Sequence, residues 1–126
     1  MKSFEWTNPS TINEAVKLLG AASSDIDEAP RPMAGGQDLL TTMKDYTSRP
    51  ARIVNLKNIR GLNNITLNTR GLTIGALVTL TELEEHEGVR KSFPGIAEAA
   101  HSIATPQIRN LGTVGGNLCQ RPRCWY

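Results

Sequence analysis

Thr105-Pro-Gln-Ile-Arg-Asn-Leu-Gly-Thr-Val-Gly-Gly-Asn117 is the stretch from which the rest of the sequence is best read. It holds three aliphatic residues, Ile108, Leu111 and Val114, among turn-forming and hydrogen-bonding ones. The pair Gly115-Gly116, flanked by Thr113 and Asn117, offers bare backbone N–H groups beside short polar side chains. Glycine lacks the Cβ that would hold a phosphate at a distance, so the combination suits a close-approaching anion. The same letters also spell an ordinary tight turn between two strands.

A second segment of this kind lies upstream, in Pro32-Met-Ala-Gly-Gly-Gln-Asp-Leu-Leu40. A short apolar lead-in meets a glycine pair, and Asp38 precedes Leu39, Leu40 and Met43. The pattern predicts strand, tight turn and short helix, with Asp38 near the N-cap and outward-pointing amides that favour an anion. Neither segment is a dinucleotide fingerprint or a Walker loop, because GxGxxG and GxxxxGK[ST] are both absent.

The remaining chain supplies the scaffold. Phe4-Glu-Trp6 is extended, and Ile12, Ala15, Val16, Leu18 and Leu19 predict a helix over residues 11–19, capped by Ser10 or Thr11 and stopped at Gly20. Arg52-Ile-Val-Asn-Leu56 is a strand expected to pair in parallel with residues 31–34. Residues 62–67 and 71–75 alternate as an antiparallel hairpin. Thr79-Leu-Thr-Glu82 is a capping box opening a helix to about His86. Pro94 starts another, with Ile96, Ala97, Ala100 and Ile103 on one face. His86 and His101 have no carboxylate or second histidine at ligand spacing and read as surface or helix-end residues; Glu82-Leu-Glu-Glu85 reads as a solvated face. No nucleophilic triad or acid–base pair is legible, so any chemistry must come from a cofactor.

A length of 126 residues suffices for a genuine core, and 39% hydrophobic with 21% charged residues is a globular composition. A net charge of +2 argues against nucleic acid as the main partner. Its distribution is uneven: residues 99–126 hold Arg109, Arg121 and Arg123 and no acid, whereas residues 1–98 carry 11 basic and 12 acidic side chains. The cationic end therefore coincides with the glycine segment, which fits an anionic ligand and equally a plain surface patch. No stretch reaches transmembrane length, and Met-Lys-Ser-Phe-Glu-Trp6 lacks the apolar core of a signal peptide. The expectation is no membrane association and a cytoplasmic location, with export only through a partner's signal. Cys119 and Cys124 leave disulfide, free thiols and a partial metal site all open.

Three segments in order, Ala34-Gly-Gly-Gln-Asp-Leu39, Ile74-Gly-Ala-Leu-Val-Thr-Leu-Thr-Glu-Leu83 and Gln107-Ile-Arg-Asn-Leu-Gly-Thr-Val-Gly-Gly-Asn-Leu118, carry a resemblance. Over essentially the whole chain it resembles the start of the FAD-binding (medium) subunit of the xanthine dehydrogenase, carbon monoxide dehydrogenase and aldehyde oxidoreductase family of molybdenum hydroxylases. The resemblance implies an α+β, two-lobed FAD-binding fold of the vanillyl-alcohol-oxidase type, truncated. A small α/β lobe with parallel strands would occupy residues 1–58, and the start of a mostly antiparallel α+β lobe residues 59–126. FAD would lie between the lobes. Its pyrophosphate would be held by Ala34, Gly35, Gly36, Gln37, Asp38 and Leu39 in the first loop and by Gly112, Thr113, Val114, Gly115, Gly116, Asn117 and Leu118 in the second. Ile103 falls where the family packs a side chain near the isoalloxazine ring.

Such a subunit relays electrons from a molybdenum-cofactor (molybdopterin) subunit, through the 2Fe-2S centres of another subunit, to flavin and a final acceptor. The substrate, an aldehyde or N-heterocycle, is chosen elsewhere. Family members are at least about twice this long, so the sequence is expected to be a fragment, inactive alone. Cys119-Gln-Arg-Pro-Arg-Cys-Trp-Tyr126 resembles the subset whose FAD subunit carries its own 4Fe-4S cluster, with Cys124 as a metal ligand. Two competing readings share the fold: a cofactor-free assembly module, and a nucleotide-binding regulator.

Overall fold

A computed structural model describes residues 1–20 and 25–122. The chain divides into two compact units, Met1–Leu62 and Asn63–Tyr126.

In the first unit, β1 (Glu5–Thr7), β3 (Arg52–Asn55) and β2 (Arg31–Met33) form a parallel sheet in the order β1-β3-β2. Trp6 pairs with Ile53, and Met33 with Asn55. The parallel pairing of residues 31–33 with β3 matches the expectation; the third strand, β1, is an addition. Ile53 and Val54 of the central strand are fully buried, and as neighbours in a strand they face opposite sides of the sheet. The helix α1 (Ile12–Leu19) supplies Ala15, Leu18 and Leu19 to the cluster around Val54 and Ile59. Met43, Leu39 and Leu40 of α2 (Leu39–Lys44) join Met33, Ile53 and Phe4 on the other side. Central parallel strands need this cover on both faces. Thr11 caps α1 by accepting from Glu14 N at 3.2 Å, and the Glu14 carboxylate accepts from Ser10 N at 2.9 Å. Ile12 and Val16 share the α1 periodicity yet face outward.

The second unit opens with the hairpin β4 (Ile65–Asn68) and β5 (Gly71–Ile74), in which Ile65 pairs with Ile74 and Asn68 with Gly71. Ile65, Leu67, Leu72 and Ile74 from it cover a core of Val78, Leu83, Val89, Ala97 and Ala100. Apart from Val78, which precedes the first of them, that core is built from α3 (Leu80–Glu85), α4 (Glu87–Ser92) and α5 (Pro94–Ser102). The capping box is present in full: Thr79 accepts from Glu82 N, and the Glu82 carboxylate accepts from Thr79 N at 2.8 Å. Glu82 is therefore a structural acceptor rather than part of a merely solvated face. The helix α4 was not legible in the sequence. It starts because the His86 ring accepts from Val89 N, so a histidine serves as its N-cap.

The stretch 105–117 departs furthest from the expected loop. It folds as two short helices, α6 (Pro106–Arg109) and α7 (Val114–Cys119), with Thr113 capping the latter by accepting from Gly116 N at 3.1 Å.

Candidate functional site

The first glycine segment is the turn from β2 into α2. Gly36 has φ +78°, a left-handed conformation that favours glycine, and its carbonyl accepts from Leu40 N at 3.0 Å. Asp38 stands at the N-cap as expected, but its side chain makes no capping bond; its carbonyl accepts from Thr42 N at 3.1 Å. Among the described residues, the amides of Gly35, Gly36 and Gln37 donate to no acceptor. Gln37 is exposed, and Ala34, Gly35, Gly36, Asp38 and Leu39 are half-buried. An anion fits this turn by the donors it leaves open.

The second segment is built otherwise. Val114 N donates to Val78 O at 2.8 Å, Gly115 N to Ala76 O at 2.9 Å, Gly116 N to Thr113 Oγ1 at 3.1 Å and Asn117 N to Thr113 O at 2.8 Å. Every amide at the start of α7 is thus engaged, which corrects the picture of bare N–H groups. The glycines here serve close approach. A Cβ on Gly115 would lie 2.8 Å from Ala76 O and 2.9 Å from Ala76 Cβ. What remains toward a ligand is shape and side chains: Gly116 and Leu118 are exposed, Asn117 is half-buried, and Thr113 is buried.

The side-chain cluster behind this segment escaped the sequence reading. Arg109 is buried, and its Nε donates to Glu84 Oε2 at 2.9 Å. Its Nη1 donates to Ile103 O and to Ala104 O, each at 3.2 Å. Its backbone amide donates to Thr105 O at 2.9 Å. One residue thereby holds three successive carbonyls. The middle one belongs to Ala104, whose φ of +48° costs a residue with a Cβ about 1–2 kcal/mol. The other carboxylate oxygen of Glu84 lies 2.6 Å from His101 Nδ1. That hydrogen bond, and then the charges of Arg109 and His101, lower the Glu84 carboxyl below its ordinary value, against the opposing effect of desolvation. The partners are 17 and 25 residues apart in sequence, so no local spacing announces them. The cluster also corrects the charge argument, since the Arg109 guanidinium is spent inside the fold. Arg121 is exposed; Arg123 and Cys124 lie outside the described residues. Cys119 is an exposed free thiol.

Residues 2–123 match the family model for the FAD binding domain in molybdopterin dehydrogenase. The chain belongs to this family. It is 38% identical to the nicotinate dehydrogenase FAD-subunit of Eubacterium barkeri over 94% of this chain and 39% of that protein. With the xanthine dehydrogenase FAD-binding subunit of Escherichia coli O157:H7 it shares 39% identity over 86% of this chain and 36% of the relative. Among solved structures, a chain of the Cu,Mo-CO dehydrogenase in its cyanide-inactivated form superposes with a TM-score of 0.84 at 35% identity, covering 93% of this chain and 40% of that one. The α+β architecture expected from the sequence is thus that of the family's FAD-binding domain. The chain spans under two fifths of the length of these two curated relatives. Among the described residues, no helix is long and apolar enough to cross a membrane.

Proposed function

We propose that this chain is the FAD-binding part of an electron-transferring subunit in a molybdenum-containing hydroxylase. The observation that carries the reading is the family match over residues 2–123, joined to a first glycine turn whose amides stand open for an anion. FAD supplies the redox chemistry when bound, accepting electrons and passing them to a final acceptor. The residues of this chain bind and orient it. The turn from Ala34 to Leu39 takes pyrophosphate oxygens on its amides. The segment from Gly112 to Leu118 adds a close-packed surface and the side chains of Thr113 and Asn117. Ile103 contributes an apolar contact to the isoalloxazine ring.

The working partners are a molybdenum-cofactor subunit and a 2Fe-2S subunit, and the oxidised substrate is an aldehyde or N-heterocycle that binds outside this chain. Cys124 ligates a 4Fe-4S cluster in the full-length protein, and the compartment is the cytoplasm. The test is the visible absorption spectrum of the gently purified full-length complex, with the released cofactor identified by chromatography. Flavin bands and one FAD per subunit are expected. A subunit without flavin bands that takes up no FAD in excess overturns the reading in favour of an assembly module or a nucleotide-binding regulator.

A further inference from the structure

The cluster of Glu84, His101 and Arg109 has no place in the binding roles just proposed, yet it contains a buried cation aimed at consecutive backbone carbonyls. Helix α3 carries Glu84 and meets the 105–117 stretch at three levels. Leu80 N donates to Gly112 O at 2.9 Å, Thr81 Oγ1 donates to Asn110 Oδ1 at 2.8 Å, and the Glu84 carboxylate accepts from Arg109. The helix is therefore a strut, and the Arg109 side chain, from α6, links its Glu84 to the carbonyls of residues 103 and 104. A chain leaving α5 has no intrinsic reason to place Ala104 at φ +48°. The two guanidinium bonds to Ile103 O and Ala104 O, with the Thr105 carbonyl taken by the Arg109 amide, fix that turn. They thereby set the direction in which Ile103 leaves it.

We infer that Arg109, anchored by Glu84, is a positioning residue for the flavin ring: it fixes the Ile103–Thr105 turn so that the Ile103 side chain is held against the isoalloxazine. The inference rests on the proposed FAD binding and names how one end of that site is set. Planar geometry explains why arginine is needed. The fork serves a carboxylate through Nε and two carbonyls through Nη1 at once, whereas a lysine ammonium on a flexible stem keeps the charge but loses the fixed directions. His101 is expected to be dispensable, because it is exposed and hydrogen-bonds to the Glu84 oxygen that Arg109 does not use.

The experiment compares Arg109→Lys, Glu84→Gln and His101→Gln in the full-length subunit within its complex. The readouts are FAD content, visible-region circular dichroism of the bound flavin, its midpoint potential, and hydrogen exchange across residues 103–109. Arg109→Lys is expected to retain FAD, with affinity lowered by no more than about tenfold. It should change the shape of the visible dichroism, shift the potential, and speed exchange in the turn by about tenfold or more. Glu84→Gln should change the same three in the same direction, and it decides the matter if the lysine variant does not fold. His101→Gln should leave the flavin signals as in the wild type. A flavin-loaded wild type whose Arg109→Lys and Glu84→Gln variants show unchanged dichroism and potential overturns this inference alone. A wild type without FAD overturns the proposed function and this inference together.

Discussion

Gly115→Ala is a single methyl group placed where the fold leaves no room. The new Cβ would sit 2.8 Å from Ala76 O and 2.9 Å from Ala76 Cβ, so either α7 or the 75–78 segment must retreat. Retreat stretches the two bonds that tie them, from Gly115 N to Ala76 O and from Val114 N to Val78 O. Overpacking of this kind costs ~1–3 kcal/mol, and each weakened backbone bond adds up to ~0.5–1.5 kcal/mol. Against this, alanine improves a helical position by ~1 kcal/mol over glycine. The net expectation is a loss of about 2 kcal/mol. The neighbouring Gly116→Ala is the control. Its Cβ meets only Thr113 Oγ1, at 3.0 Å, so a partial loss of the cap, ~1 kcal/mol at most, offsets the same helical gain. Thermal unfolding of the purified full-length subunit should separate the two variants by roughly 4–8 °C, the scale for ~2 kcal/mol in a domain of about 150–250 residues. A Gly115→Ala protein as stable as Gly116→Ala would refute the reasoning, because then the Ala76 contact does not constrain α7.

Two further outcomes are expected, one at Glu84 and one at Cys124. The Glu84 carboxyl is held below its ordinary value of 4.5, so its pairing stabilises the fold above the unfolded carboxyl's range and is lost as pH falls through the lowered folded value. The thermal midpoint should therefore fall more steeply on acidification in the wild type than in Glu84→Gln, and parallel acid limbs would count against the pairing. In the full-length protein, Cys124→Ser should remove about four irons per subunit together with the cluster's paramagnetic signal, while Cys119→Ser retains both; iron content unchanged in the first variant would end the assignment.

What the sequence made legible is what local rules encode. The capping box at Thr79 and Glu82, the α1 cap at Thr11 and the proline start of α5 are each written within four residues, and each is present. The parallel pairing of β2 with β3 follows from a strand–helix–strand order whose geometry leaves few alternatives. The outward turn of Ile12 and Val16 was not readable, because apolar periodicity marks a helix face without saying which part of it a three-stranded sheet can cover. Nor was α4, since histidine is not among the usual caps and acts here through a ring nitrogen.

The glycine segments show most plainly where letters run out. Both read as the same device, a glycine pair with polar flanks, and the fold uses them in opposite ways. At Gly36 the glycine supplies a left-handed turn that leaves neighbouring amides open; at Gly115 it lets two backbone segments touch and consumes the amides in doing so. The difference is decided by what lies opposite. Nothing among the described residues accepts from the amides of Gly35, Gly36 and Gln37, whereas the 76–78 carbonyls, some 38 residues upstream of the second pair, accept from Val114 and Gly115. The same logic removes Arg109 from the cationic patch: its charge is visible in the sequence, but its counter-charge at Glu84 comes from a different helix. Charge counted along a chain measures what is available. Whether a ligand can use it depends on how much the fold has already claimed, and here the buried guanidinium is committed to one carboxylate and two carbonyls before any cofactor arrives.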